Sequence, residues 1–387
     1  MKRRCSVAYA VIQAALWGVY GFLFSFANRY LLDRGLSDLR IGLILGAATG
    51  LSFLLQPILT AVTDRFSAFS CRRILALCAG LMSLCAAALP MVSSVALVVL
   101  LYALACVCLQ VLPAFANALG MRAIHGGITL NFGLARGIGS VCFGVAAQAA
   151  VPLIDRFGLN SVPICSALLG VIFVAAALTF PEQRQITQKT EAATPALAFV
   201  RSHGRFMTFL GGVVLLFIGH NVLSNCMFQI AQFKGDGNTQ GTALLIAAVI
   251  ELPTMFLFTK LLKLAKCEKW LCLSSVFFTL RLALSLVLPG PIGLCVAQLT
   301  QMLGFALFTV SSVYYVGAVI DRRDVVKGQT YLAVSNTLGA LLAHFLGGVL
   351  IDTMGVGNML LVCIGLSAVG MGIVFTTVRR GKTPAFT

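Results

Sequence analysis

Residues 131–144 read NFGLARGIGSVCFG and place a single arginine, Arg136, inside a run of apolar and small residues. A guanidinium in a membrane span costs at least about 2.5 kcal/mol, so such a residue is rare unless it faces a wet cavity, a partner or a ligand. Apolar runs of this kind fill most of the chain. The functional interpretation depends on what Arg136 faces.

The composition is that of an integral membrane protein. Of the 387 residues, 59% are hydrophobic and 10% are charged, and the mean hydropathy is +0.97. Soluble domains carry roughly a quarter charged residues, and a membrane-spanning helix needs about 20 apolar residues. The apolar runs therefore predict an all-α membrane fold of twelve transmembrane helices, with no soluble domain of useful size.

The predicted spans form two sets of six, joined by the longest polar segment. We interpret residues 1–180 as an N-terminal six-helix bundle, 181–205 as a cytoplasmic linker and 206–387 as a C-terminal six-helix bundle. The predicted spans are 7–30, 41–63, 73–92, 94–119, 132–154, 160–180, 206–231, 240–262, 270–288, 291–318, 329–351 and 356–378.

The two halves share a short internal sequence repeat. The fifth span ends with LIDRFG at residues 153–158, and the eleventh ends with LIDTMG at residues 350–355. These segments occupy the same place in each half. Parallel repeats of six spans are an architecture of secondary transporters.

The charge distribution predicts the orientation. The net charge is +16, and most Lys and Arg residues fall in loops on the side of the N-terminus, as the positive-inside rule requires of cytoplasmic loops. We therefore expect a multi-pass protein of the cytoplasmic (inner) membrane with both termini cytoplasmic. The bases in the predicted outer loops are Arg29, Arg34, Arg40, Arg156 and Lys234.

Several functional classes are not supported by the sequence. The basic residues form no run interleaved with aromatic residues, so nucleic acid is not an expected partner. The 13 cysteines have no CxxC or metal-ligand spacing, which predicts neither a metal nor a cofactor. The sequence contains no phosphate-binding GxxxxGK[ST] loop, so we do not expect ATP hydrolysis to drive transport. Because no nucleophile has an evident base, we do not expect an enzyme.

Three ionisable residues other than histidine lie in the middle of predicted spans. They are Glu251 in the eighth span, Arg136 in the fifth and Arg281 in the ninth. A carboxyl group in a low-dielectric site can hold a proton near neutral pH, so Glu251, followed closely by Pro253, is the candidate for proton coupling together with Arg281. The alternative is a structural ion pair between Glu251 and one of the arginines.

An aromatic residue shares the helical face of Arg136. Phe143 follows it by seven residues, two turns along, and a ring beside a guanidinium can hold a sugar or an aromatic solute. Both residues have an alternative role that does not involve a solute. Phe143, one of 27 phenylalanines, could be an ordinary packing residue, and Arg136 could extend its side chain to the cytoplasmic face of the membrane. Further candidates for binding the solute are Asn117, Ser140, Asn221, Gln301 and Asn336.

These motifs resemble those of the major facilitator superfamily and, within it, the lactose-permease-like oligosaccharide:proton symporters. The segment Phe132-Gly133-x-Ala135-Arg136 is similar to the sugar-binding arginine motif of that family, and Asp64-Arg65 to its conformational loop motif. The resemblance implies that Arg136 contacts substrate and that Phe143 takes the place of the stacking aromatic. It places Glu251 and Arg281 in the proton-coupling group and implies a monomer in the lipid bilayer.

The sequence departs from that resemblance at charged positions of the permeases. Their acid in helix four, their histidine and glutamate in helix ten, and their acid and lysine pair have neutral counterparts here. Those counterparts are Ala116 or Asn117, Gln301, Gly304, Asn221 and Gly339. We therefore expect a solute other than lactose and a different mode of coupling.

The sequence predicts a secondary active transporter of a small organic solute, with a sugar or glycoside as first choice. An organic anion such as an aromatic carboxylate, and a nucleoside, are the alternatives within this class. A non-transporting membrane sensor is the alternative outside it. Proton coupling rests mainly on Glu251.

Overall fold

The computed structural model describes residues 2–65, 70–128, 130–181, 195–321 and 324–379, and this part of the chain is helical without a strand. Residues 182–194 of the predicted linker 181–205 lie outside the described residues, and its C-terminal part contains a short helix, Ala196–Ser202. The α-helices are α1 (Lys2–Val19), α2 (Ala27–Asp33), α3 (Asp38–Arg65), α4 (Cys71–Ala88), α5 (Val95–His125), α6 (Phe132–Phe157), α7 (Ser161–Thr179), α8 (Ala196–Ser202), α9 (Gly204–Asn225), α10 (Met227–Phe233), α11 (Thr239–Leu264), α12 (Cys267–Val287), α13 (Gly290–Gln298), α14 (Phe305–Val319) and α15 (Val325–Arg379). A π-helical turn (Tyr20–Phe24) follows α1, and 3₁₀ turns follow α4 (Leu89–Met91) and α13 (Leu299–Met302).

Eleven helical stretches among the described residues are long and apolar enough to cross a membrane. The last, Val325–Val378, has 54 residues, whereas one crossing takes about 20. Its backbone leaves the helical conformation at Gly355, where φ is 78° and ψ is 169°. This stretch therefore contains two spans, and the prediction of an all-α membrane fold with twelve spans is confirmed.

The internal sequence repeat has the same backbone conformation in both halves. Gly158, which follows α6, has φ 77° and ψ 173°, close to the angles of Gly355. Residues with a side chain are almost never found in this region. The two glycines that end LIDRFG and LIDTMG therefore make the same turn in each half.

We expect Gly355→Ala and Gly158→Ala each to lower the free energy of unfolding by about 1–3 kcal/mol through backbone strain alone. A Cβ added at either position would meet nothing within 4 Å, so steric contact does not contribute. Thermal unfolding of the purified protein measures the effect.

Gly365→Ala is the matched control for this prediction. A Cβ at Gly365 also meets nothing within 4 Å, and this residue lies in a regular part of α15. Because alanine is the better helix former, the control is expected to be neutral or stabilising. Equal destabilisation by all three changes would contradict the strain argument.

The described residues form two compact units. The first contains residues up to Pro181 together with Gln240–Val249 from α11, and the second contains Pro195–Thr239 and Ile250–Arg379. The predicted bundle boundaries, which place all of α11 in the second half, stay a prediction.

The core of the first unit contains three buried tyrosines, one each from α1, α2 and α5. Tyr9, Tyr30 and Tyr102 are each fully buried with neighbouring aliphatic and cysteine side chains. The hydroxyl of Tyr102 donates to the carbonyl of Leu23, inside the π-helical turn. Because a π turn interrupts the regular hydrogen-bond ladder, this bond holds the irregular backbone in place.

The N-terminal part of α11 packs closely within the first unit. The Gln240 amide donates to the Ser25 carbonyl at 2.6 Å, and the Thr242 hydroxyl donates to the Gln148 side chain at 3.0 Å. At Gly241 an added Cβ would lie 2.8 Å from the Ala147 carbonyl oxygen. Small residues allow this close backbone approach, as is usual between membrane helices.

The second unit has a core rich in phenylalanine. Phe217 contacts the rings of Phe278 and Phe308, with ring centroids 5.6 and 5.4 Å apart. Phe199 and Phe209 belong to the same buried cluster. This core supports the polar residues of α9, α12 and α13 described below.

Candidate functional site

Arg136 lies one turn inside α6, and the start of that helix is fixed by its cap. The Asn131 side chain accepts a hydrogen bond from the Leu134 backbone N–H at 2.9 Å, which satisfies one of the free donors at a helix N-terminus. Helix α6 therefore begins at Phe132. Arg136 is half-buried.

The guanidinium of Arg136 lies on the face of Trp17 in α1. The distance from Cζ to the ring centroid is 4.0 Å, and Nη1 donates to the Ser140 hydroxyl at 3.0 Å. Gly139 makes this approach possible, since a Cβ there would lie 2.5 Å from Trp17 Cδ1. A cation–π contact of this kind contributes about 1–2 kcal/mol when partly desolvated, and together with Ser140 it restricts the position of the guanidinium.

A chain of hydrogen bonds continues from Trp17 along α1. Trp17 Nε1 donates to Gln13 Oε1 at 3.1 Å, and Gln13 Nε2 donates to Tyr9 Oη at 2.9 Å and to Asn117 Oδ1 at 3.4 Å. Residues 9, 13 and 17 are four apart and so share one helical face. These hydrogen bonds connect α1 with α5 and position the indole of Trp17, which contacts Arg136 of α6.

Two aromatic side chains of the π-helical turn after α1 extend this cluster. Tyr20 stacks on Trp17 with centroids 5.1 Å apart, and Phe24 follows at 5.5 Å from Tyr20. Phe143, the aromatic residue predicted to act with Arg136, is half-buried, and its role stays a prediction. The ring that contacts Arg136 is Trp17, which sequence reasoning missed. Its signal is the polar and aromatic spacing of Tyr9, Gln13 and Trp17.

Arg281 in α12 is the centre of a second buried cluster. It is 3% exposed, and its Nε donates to Gln298 Oε1 at 3.0 Å, while Nη2 donates to the same oxygen. Nη1 contacts Nδ1 of His220 at 3.2 Å. Because a guanidinium has no acceptor, His220 accepts through Nδ1. Its ring stacks on Phe305, at 4.6 Å and nearly parallel.

Glu251 in α11 accepts a hydrogen bond from Gln301 Nε2 at 2.7 Å. The carboxylate is half-buried and close enough to interact electrostatically with Arg281. The two candidate coupling residues therefore lie in one region of the second unit. Gln298, which holds Arg281, was not predicted, because single polar residues are common in membrane helices and the sequence does not show their partners.

The remaining predicted site residues are distributed as follows. Asn117 is exposed and joins the chain below Trp17. Asn221 Nδ2 donates to the Phe217 carbonyl of its own helix at 2.8 Å. Asn336 has a buried Oδ1 with no hydrogen-bond donor among the described residues. Asp64 and Arg65 end α3, but their side chains lie outside the description. No group of three His, Cys, Asp or Glu residues in the described segments is placed to hold a metal ion.

The comparisons with known proteins agree on one fold. No curated protein matches the sequence. Among solved structures, a mutant of the nucleoside transporter NupG is similar, with 16% identity over 96% of this chain and 99% of that chain and a TM-score of 0.83. A POT family peptide transporter in an auto-inhibited form has 10% identity over 99% and 98% of the two chains and a TM-score of 0.75. A bacterial homologue of the human lysosomal transporter Spinster has 13% identity over 98% and 97% and a TM-score of 0.68.

These structures show a shared fold, and the family follows from the sequence itself. Residues 7–362 match the model of the MFS_1 like family, which covers nearly the whole chain. The lactose-permease-like subtype suggested by the motif around Arg136 is not specifically supported by these matches. The chain belongs to the MFS_1 like family and has the fold of a major facilitator transporter.

Proposed function

We propose that the protein is a secondary active transporter that moves a small, neutral, polar solute across the cytoplasmic membrane by alternating access. The first choice of solute is a sugar or glycoside. The observation that carries this proposal is the guanidinium of Arg136, which lies over the ring of Trp17 and donates to the Ser140 hydroxyl. We expect the transporter to work as a monomer.

A planar guanidinium suits neighbouring hydroxyl groups. It presents N–H donors in a rigid fork that can reach two oxygen atoms at once. The contact with Trp17 and the hydrogen bond to Ser140 together restrict the position of this fork. A ring with vicinal hydroxyls provides the matching acceptors, and Phe143, two turns along α6, is the proposed surface for its apolar face.

A nucleoside is the second candidate, and the aromatic series of α1 and the π-helical turn favours it. Trp17 contacts Arg136, and Tyr20 and Phe24 continue the series away from it, which gives more aromatic surface than a simple sugar requires. The similarity in fold to the nucleoside transporter NupG agrees with this candidate. A nucleoside is itself a glycoside, so both candidates use the same hydroxyl-binding fork.

A thermal-shift screen of the purified protein separates the solute classes. The panel is p-nitrophenyl β-D-galactoside, lactose, uridine and 4-hydroxybenzoate. A ligand at 100 times its Kd stabilises the folded state by about 2.7 kcal/mol, so binding is visible in the unfolding temperature. We expect stabilisation by a neutral hydroxylated compound. Stabilisation by 4-hydroxybenzoate alone would assign the protein to organic anions.

Glu251 is the proposed proton site, since it is half-buried, hydrogen-bonded and near Arg281. Glu251→Gln is expected to abolish accumulation driven by a pH gradient and to leave solute exchange intact. The amide cannot carry a proton but keeps an acceptor for Gln301. Uptake of the identified solute into proteoliposomes, with and without an inward proton gradient, measures this.

Glu268→Gln is the matched control for the coupling experiment. Glu268 lies in the first turn of α12, away from the proposed proton site, and its change should leave accumulation as in the wild type. Equal accumulation with and without the gradient in the wild type, or unaltered coupling in Glu251→Gln, would show that Glu251 does not carry the proton.

A further inference from the structure

Gln301 lies where a membrane span loses its regular helix. The 3₁₀ turn Leu299–Met302 separates α13 from α14, and Gly304 before α14 has φ −85° and ψ −99°. A 3₁₀ segment inside a helix often marks a functional hinge. Gln301 is 4% exposed, so its polar groups need partners within the protein or from a ligand.

Two hydrogen bonds tie this segment to α11. Gln301 Nε2 donates to Glu251 at 2.7 Å, and the Thr254 hydroxyl donates to the Met302 carbonyl at 3.0 Å. Glu251 and Thr254 are three residues apart and share one face of α11. The Gln301 side chain is therefore held in one direction.

The carbonyl oxygen of the Gln301 amide, Oε1, accepts no hydrogen bond from the described residues. This oxygen is also buried. A buried carbonyl without a donor costs about 1–3 kcal/mol. Turning the amide over would place its oxygen against the Glu251 carboxylate, so the charge of Glu251 keeps Oε1 in this unsatisfied position.

We propose that Gln301 is a solute-binding residue whose amide oxygen accepts a hydrogen bond from a hydroxyl or N–H group of the solute. Glu251 acts through it as a positioning residue that presents this oxygen. The inference rests on the proposed transport function and adds a requirement for the solute, which must carry a donor at the matching position.

Oε1 is covered in the present conformation, and the elements around it can bend. Pro253 removes a backbone hydrogen bond from α11 next to Glu251, and Gly304 follows the 3₁₀ turn. A shift at either point exposes the amide without breaking a regular helix. The solute donor then offsets the cost of the unsatisfied oxygen, which favours the bound conformation.

The test pairs solute analogues with a Gln301 variant. The probes are uridine and p-nitrophenyl β-D-galactoside, their monodeoxy analogues, and N3-methyluridine. Gln301→Met keeps the length of the side chain without the amide. In the wild type, one analogue is expected to bind about tenfold more weakly than its parent. In Gln301→Met that analogue and its parent should bind equally.

Gln329→Met is the matched control, since Gln329 is a glutamine of α15 whose side chain bonds the Val313 carbonyl. It should show the wild-type pattern of analogue affinities. The proposal is overturned if every analogue loses the same affinity in the wild type and in Gln301→Met.

Variants of Glu251 test its positioning role. Neither variant can carry the proton, but Glu251→Gln keeps an acceptor for the Gln301 amide and Glu251→Leu removes it. The KM for solute exchange should therefore be about tenfold higher in Glu251→Leu than in Glu251→Gln, with little difference in kcat. Equal KM values in the two variants would contradict a positioning role.

Unfolding temperatures measured without solute test the role of the Gln301 oxygen independently of transport. In a Glu251→Leu background, adding Gln301→Met should leave the unfolding temperature unchanged or higher, because it removes an amide that no longer has a protein partner. A fall of more than about 5 °C would show that Oε1 has a protein partner, which overturns the proposal. If no probe binds the wild type, the proposed solute class is wrong, and this comparison alone decides whether Gln301 has an unused acceptor.

Discussion

Replacing Arg136 with lysine is expected to weaken binding of the transported solute about 100-fold. The lysine ammonium cannot lie flat on Trp17 and donate in the same plane, and it reaches at most one solute oxygen well. The fold should persist, because the change keeps the charge and the long side chain at a half-buried position. Binding is measured by the thermal shift with the solute found in the screen.

Arg156→Lys is the matched control on the same helix. Arg156 also lies near an aromatic ring, with its Cζ 5.4 Å from the centroid of Phe157, but it is exposed at the C-terminal end of α6. Its change should leave affinity unaltered. If Arg136→Lys binds as well as the wild type, the planar fork plays no part in recognition and the proposed solute class loses its support.

Replacing Gln298 with leucine is expected to lower the free energy of unfolding by about 3 kcal/mol. The change removes the oxygen that accepts from both Nε and Nη2 of Arg281, and it leaves a buried cation with fewer partners. Gln298 itself is fully buried, so water does not replace the lost acceptor. Denaturation in detergent micelles measures the loss.

The double variant Arg281→Met/Gln298→Leu identifies the cause of this loss. Removing both partners should recover most of the stability, because the buried charge is gone. Gln329→Leu, the same change in α15, should cost less than about 1 kcal/mol. If the double variant is less stable than Gln298→Leu, the loss comes from packing rather than from the unsatisfied guanidinium.

The membrane fold could be predicted from the sequence because the bilayer imposes a length on every apolar run. The twelve predicted spans correspond to the observed helices, with the largest difference at the end of α5, which is predicted at residue 119 and observed at His125. The structure adds irregular turns inside spans, such as Tyr20–Phe24 and Leu299–Met302. Their residues do not interrupt the apolar pattern, so hydropathy does not reveal them. Gly355 is different, because its turn repeats the one at Gly158 and its sequence context repeats as well.

The candidate site was only partly accessible to sequence reasoning. Arg136, Glu251 and Arg281 are conspicuous because a charge in an apolar run is costly. Trp17 contacts Arg136 and Gln298 binds Arg281, but neither residue is conspicuous in the sequence, because aromatic and amide residues are common in membrane helices. Periodicity shows which residues share a face of one helix, but the partner of each arginine lies on a different helix.

Uptake into sealed proteoliposomes is the decisive measurement of the proposed transport function. The labelled solute is the neutral glycoside or nucleoside that stabilises the purified protein, and wild type is compared with Arg136→Lys. The wild-type protein is expected to accumulate the solute under an inward proton gradient, and the Arg136→Lys protein is not. Binding of the solute to the wild type without any movement across the membrane would contradict transport and would identify a sensor.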